Sequence, residues 1–283
     1  MKPAPFEYHR PADVAEALDM LAGLEEAKVL AGGQSLVPLM NFRLATPAHL
    51  VDISRLAELR HVDVTERGVV VGASITHAEL MGHEAANEAC PLLGRALRFV
   101  AHEVVRNRGT TCGSLAHADP SGELTAVLAL LGGEVTLASQ SGERTVGAAD
   151  FFVGYLQSAC GDEELVTSAL FPRLGEGSRS TFVEVARRHG DYAMCGAAAA
   201  VEVAGDGTIA AARLAYISMA PGPVVIDVGE VVQGRAPADV DLAGMYDLVS
   251  SVVDPRDDIH ASANYRRHLA GVLAGRAITE AAA

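Results

Sequence analysis

Two stretches of this chain concentrate residue types that can hold an anion: AGGQSL, from Ala31 to Leu36, and RNRGTTCGSLAHADPSGE, from Arg106 to Glu123. In the first, the pair Gly32–Gly33 follows the apolar Val29 and Leu30, so the chain can turn sharply and present successive N–H groups as a nest. In the second, Gly109, Gly113 and Gly122 admit close backbone approach, Thr110, Thr111 and Ser114 add hydroxyls, and Pro120 ends whatever precedes it. An apolar helical run, LTAVLALLG, starts directly after Glu123, so this polar stretch delivers its donors beside a helix start, a place that suits phosphate. Composition leaves a second reading open, that of long surface loops without a ligand; the recurrence of the pattern favours a binding site. Neither stretch matches GxGxxG or GxxxxGK[ST], which argues against a Rossmann dinucleotide site and a P-loop.

Other chemistries find little support. Cys90, Cys112, Cys160 and Cys195 are scattered without a CxxC pair, so neither a zinc site nor an iron–sulfur cluster is encoded at a readable spacing. The ten histidines include no HExxH, and His117 is singled out because it lies inside the second stretch. No general base can be named. A formal charge of -14 without any Lys/Arg cluster argues against nucleic acid and against an acidic partner surface. No run approaches the roughly twenty apolar residues of a membrane span, and MKPAPFEYHRP lacks a signal-peptide core, so the expected location is the cytoplasm.

The elements that must position these stretches can be read in order. At 283 residues and 49% hydrophobic content the chain is long enough for two domains. A short strand, a helix over Ala12–Leu24 and a strand ending at Leu30 form a βαβ-like unit with the first glycine stretch at its C-terminal end. HLVDI reads as a strand, and LRHVDVTERGVVVG as a hairpin turning at Glu66 to Gly68. Thr76 and Glu79 form a capping pattern, and Pro91–Val104 reads as one helix leading into the second stretch. EVTLAS, RTVGA and the run from Leu165 to Pro172 are further strands. Arg173–Ser180 has a linker's Gly and Ser density, which places a domain boundary there. Beyond it come three strands of an antiparallel sheet, with Ala197–Ala200 suited to close packing against a helix, and two helices.

Taken together, FEYHRP, AGGQSL, RNRGTTCGSLAHADPSGEL, ARRHGDYA and YRRHLAGVL resemble the medium, FAD-binding subunit of the molybdenum hydroxylases, the carbon monoxide and xanthine dehydrogenase type. The resemblance covers nearly the whole chain. It implies an α+β fold: a two-part FAD-binding domain of the PCMH type over 1–175, with subdomains of about 1–55 and 56–175, then a small antiparallel sheet packed with C-terminal helices over 176–283. It implies FAD held by Ala31, Gly32, Gly33, Gln34, Ser35 and Leu36 in one loop, and by Thr110, Thr111, Cys112, Gly113 and Ser114 in the other. Lys28 would help hold the pyrophosphate, Glu123 a ribityl or ribose hydroxyl, Tyr192 would lie near the flavin ring, and Leu165 joins the same set. Molybdopterin and iron–sulfur clusters would sit on partners, a large molybdopterin-binding subunit and a small 2Fe-2S subunit, in a dimer of heterotrimers. Electrons would then pass from the clusters through this chain's FAD to an external acceptor. Two alternatives remain at this point: a self-contained FAD reductase or oxidase on the same flavin fold, and a scaffold that has lost flavin.

The second loop departs from the family's TIGGN, with Cys112 at a glycine and Ser114 at the asparagine. Ser114 is shorter and would recruit a water. If Cys112 took a positive φ, its Cβ would strain the loop, and Cys112→Gly would bind FAD at least as tightly as the parent.

Overall fold

Three sheets carry the chain in a computed structural model that describes residues 1–283. In the first, β1 (Glu7–His9), β2 (Ala27–Leu30) and β3 (His49–Asp52) are parallel in the order β1-β3-β2. Parallel neighbours need crossovers, and the helix Val14–Gly23 supplies one, with Asp13 accepting the Glu16 N–H and Ala17 and Leu21 turned into the core. The second sheet is antiparallel and uses β4 (Val62–Val64), β5 (Gly68–Gly72), β6 (Glu134–Ser139) and β7 (Gly142–Gly147). After a ribbon of β8 (Phe152–Gly154) and β9 (Gln157–Ser158) it is completed by β10 (Leu165–Pro172), in the order β4-β5-β10-β6-β7. Thr76 and Glu79 form the expected capping box at the start of the helix His77–Met81.

The third sheet runs β11 (Ser178–Val185), β12 (Cys195–Val203), β13 (Ile209–Ile217) and β14 (Val224–Asp227), all antiparallel. Its alanine-rich strand β12 is buried on both faces. Ala198 and Ala200 belong to the core that contains Leu124 and Leu128 of the helix Glu123–Leu131, whereas Ala197, Ala199 and Val201 belong to the core built on the helix Ala263–Ala282. Small side chains let helices approach both faces of one strand. On the far side Tyr216, fully buried, donates its hydroxyl proton to the Ala270 carbonyl at 3.0 Å. The preceding helix Leu242–Val252 lies close in turn, with Tyr246 over Gly271 and Leu242 over Gly275. No helix is long and apolar enough to cross a membrane.

Three local expectations are corrected. The helical text from Pro91 to Val104 breaks into Pro91–Leu97 and Glu103–Arg106, with Ala101 at φ 42° between them. Arg106 reaches back and donates to the Val100 and Ala101 carbonyls at 2.9 Å each, satisfying acceptors that the break exposes. The polar run to Ser180 is only partly linker, because Ser178, Arg179 and Ser180 pair with Glu202, Val201 and Ala200. Cross-strand pairing prevails over composition here.

The third correction concerns the second glycine stretch, which is not loop throughout: Thr111–His117 is a helix. Thr110 caps it by accepting the Gly113 N–H at 3.1 Å, and Ala118 ends it in the left-handed region. Only Thr111, Cys112 and Leu115 face inward, too few apolar positions to make the periodicity legible. Cys112 has no positive φ; it is 1% exposed, its S–H points to the Val71 carbonyl at 3.3 Å, and burial pushes its thiol up to about 12. The strained loop is therefore absent, and Cys112→Gly should not relieve anything. Losing helix propensity and a buried side chain should cost about 1–2 kcal/mol of stability, read as a lower urea midpoint of the cofactor-free chain. An unchanged or higher midpoint would contradict this placement.

Candidate functional site

The end of β2 opens into a cleft of about 370 Å³ lined by Leu30, Ala31, Gly32, Gly33, Gln34, Val37, Pro38, Asp52, Ser54 and Arg108. None of the six successive backbone N–H groups from Ala31 to Leu36 finds an acceptor within the chain. Gly33 takes φ +70°, which turns this run toward the start of the helix Leu36–Asn41. A row of free donors at the C-terminal end of a parallel strand, entering a helix, is an anion cradle. Arg108 reaches the same cleft without an ion pair inside the chain.

The two glycine stretches meet here. A Cβ on Gly32 would lie 2.1 Å from the Arg108 carbonyl oxygen and 2.7 Å from the Gly109 Cα, so contact between the loops requires glycine at this position. In the same cleft, Asp52 accepts from the Tyr8 hydroxyl and from the Ser54 N–H. Burial opposes its charge, yet these hydrogen bonds outweigh burial and hold the carboxyl below its usual range. A charged carboxylate facing a cleft is a strong acceptor for hydroxyl groups.

A second corner gathers acids and one exposed aromatic. Ser218, at φ 64°, donates its N–H to the Pro120 carbonyl at 2.7 Å and its hydroxyl proton to Ala193 O at 2.7 Å, while its Oγ lies 2.8 Å from that of Ser121. These bonds tie the loop before Glu123 to the GDYA segment. Tyr192, beside Ala193, leaves 62% of its surface exposed, near the carboxyls of Asp119 and Glu123. Burial drives Glu123 up to about 7, with Asp119 adding to it. Glu184 on β11 rises to about 8 through burial and then the charge of Glu123, and its Oε2 has no hydrogen-bond partner. At neutral pH Glu184 is therefore mainly a neutral acid, able to donate a hydrogen bond.

The fate of the expected site residues follows from these positions. Ala31 to Leu36 form the cradle. Gly113 and Ser114 are partly exposed, Gly113 beside Ala31 and the Ser114 Oγ beside Gly122, next to Glu123. Thr110 is engaged as a helix cap, and Thr111 is buried with its hydroxyl 3.5 Å from His77 Nδ1. The Cys112 side chain faces the core, leaving only its backbone for a ligand. Leu165 is likewise a core side chain at 1% exposure, and Lys28 is exposed near Cys160, outside the cleft lining. His117 closes its helix 3.9 Å from Asp119. Asp52, Ser54, Arg108 and Glu184 were missed. The first two could have been found from their place at and just after the C-terminal end of a parallel strand, where ligands of such sheets collect; Glu184 carries no local signal.

Family comparison decides the identity of this arrangement. Residues 4–174 match the FAD binding domain in molybdopterin dehydrogenase, and residues 180–281 match the CO dehydrogenase flavoprotein C-terminal domain. The chain belongs to the FAD-binding medium subunits of the molybdenum hydroxylases. Among its relatives, the alpha subunit of the 6-hydroxypseudooxynicotine dehydrogenase complex of Paenarthrobacter nicotinovorans is 36% identical, over 99% of this chain and 96% of that protein. The carbon monoxide dehydrogenase medium chain of Hydrogenophaga pseudoflava is 32% identical, over 99% and 98%. Quinoline 2-oxidoreductase from Pseudomonas putida 86 superposes with a TM-score of 0.93 at 35% identity, covering 100% of this chain and 98% of that one. The chain is thus an oxidoreductase subunit whose cofactor is FAD. The residues present fit that cofactor, since six free N–H groups and an unpaired Arg108 suit a diphosphate, and the charged Asp52 suits hydroxyls.

Two outcomes are expected of a medium subunit built this way. Gly32→Ala must separate the two loops and should weaken FAD binding by about tenfold or more, measured by isothermal titration into the cofactor-free chain. Between pH 4.5 and about 8 the folded state binds more protons at Glu123 and Glu184 than the unfolded chain does. Unfolding free energy should therefore fall as pH rises through that window, and Glu184→Gln should flatten the fall. Urea unfolding of parent and variant at both ends of the window checks the sign.

Proposed function

We propose that this chain is the electron-transfer subunit of a molybdenum-containing hydroxylase or dehydrogenase. Electrons reach its FAD from iron–sulfur clusters of a small 2Fe-2S subunit and leave to an external acceptor, while a large molybdopterin-binding subunit oxidises the substrate. The assembly is a dimer of heterotrimers, located in the cytoplasm. The observation that carries the reading is the run of six unpaired N–H groups set against the second loop. The four cysteines, three of them buried, offer no cluster ligand set, which supports placing the clusters on another chain.

Within that role the chain's own residues divide the work. Ala31 to Leu36 and Arg108 neutralise the diphosphate, and Asp52, Ser114 and Glu123 accept from hydroxyls. Tyr192 offers an aromatic face beside the ring, and neutral Glu184 offers a proton to a polar ring edge. FAD, when bound, supplies one- and two-electron transfer. Two domains meeting near residue 175 are part of the proposal, supported by the two matched segments, 4–174 and 180–281.

The test is purification of the chain alone and with its two partners. Flavin absorption bands, FAD rather than FMN released on heating, and co-elution of three subunits in size-exclusion chromatography are expected. Released FMN, or a chain that elutes free of co-expressed partners, would overturn it.

A further inference from the structure

Away from the flavin cleft, β1 and β3 bring Glu7, His9 and His49 to one face of the first sheet. Glu7 pairs with His49 and His9 with Val51, so the two-residue period of the strands points these three side chains the same way, and Tyr8 the other way toward Asp52. His9 Nε2 lies 3.0 Å from His49 Nδ1, and Glu7 Oε2 lies 3.5 Å from His49 Nδ1 and 3.9 Å from His9 Nε2. All three candidate ligand atoms lie within 4.8 Å of one another. The edge of a tetrahedron with metal–ligand bonds of 2.0–2.1 Å is about 3.3 Å, which these distances bracket. The imidazoles are mostly buried, with 22% and 20% of their side-chain surface exposed, whereas Glu7 is 74% exposed and free to swing inward.

We propose that Glu7, His9 and His49 form a site for a divalent first-row transition-metal ion, with Zn²⁺ as the representative occupant. Two imidazoles and one carboxylate suit such ions and leave a fourth position to water. A proton bridging the two ring nitrogens, the arrangement that holds them 3.0 Å apart without a metal, is displaced when the ion enters. Strand β1 is three residues long and pairs with β3 alone. An ion there would staple β1 to β3, whose last residue, Asp52, lines the flavin cleft from the opposite face.

The test titrates Zn²⁺ into the tag-free, flavin-loaded chain after chelator removal, by isothermal titration. One site is expected that disappears in His9→Ala and in His49→Ala. Glu7→Ala, at an exposed position where folding is not at risk, should weaken that site by about tenfold, in the range expected for loss of a coordinating or supporting group. Co²⁺ at the same site should give the intense visible bands of four-coordination, read as a difference against the flavin spectrum, and Zn²⁺ should raise the melting temperature of the parent but not of the variants. Unaltered flavin absorption in each variant establishes that it is folded. Absence of Zn²⁺ binding at tenfold excess, or binding that all three substitutions leave unchanged, would overturn the proposal and leave the histidines as a hydrogen-bonded packing pair.

Discussion

The contact between Gly32 and the backbone of Arg108 and Gly109 is the constraint on which the site depends. Two loops separated by some seventy-five residues must touch through their main chains, and no side chain fits between them. Their contact leaves the N–H groups of Ala31 to Leu36 facing the cleft rather than one another. Satisfied locally, those groups would be an ordinary turn; left free, they are unpaired donors of the kind that suits an anion.

Everything around the contact serves to keep it. The parallel strands β2 and β3 fix where the first loop emerges, and the capped helix Thr111–His117, anchored by the buried Cys112 and Leu115, fixes the second. The third sheet closes the remaining side through β12, whose alternate alanines enter two different cores. Ser218 then draws Tyr192 toward Glu123 by hydrogen bonds to Pro120 and Ala193. An exposed aromatic and two carboxyls of raised pKa consequently meet at one corner, although they come from separate parts of the chain.

That corner is also where charge and burial act against each other. Glu123 and Glu184 share a poorly hydrated space, and ionising both would place two like charges together, so at neutral pH at least one is protonated over much of the time. Asp52 is the contrasting case: also partly buried, it stays ionised because Tyr8 and Ser54 donate to it. One carboxyl is thus held charged in the cleft and the other neutral at the corner beside Tyr192.

Most strands of the first two sheets, the first glycine loop and the family were legible in the residues themselves, because glycine pairs after apolar strands, capping patterns and alternation are local signals. The capping box at Thr76, the hairpin around Glu66 and the strand from Leu165 to Pro172 follow from such signals. The helix at Thr111–His117 was not legible, since small polar residues of weak helix propensity become helical there only through the Thr110 cap and the burial of Cys112 and Leu115. Nor was the role of Ser178–Ser180, where a polar run is drawn into a strand by its pairing with β12. The partners and charge states of Arg108, Asp52 and Glu184 were set only by tertiary structure, which leaves the first unpaired, hydrogen-bonds the second and desolvates the third. Sequence determined the donors and where the chain can turn; folding decided which groups lie beside them and in what charge state, because desolvation and long-range contacts exist only once the sheets have packed.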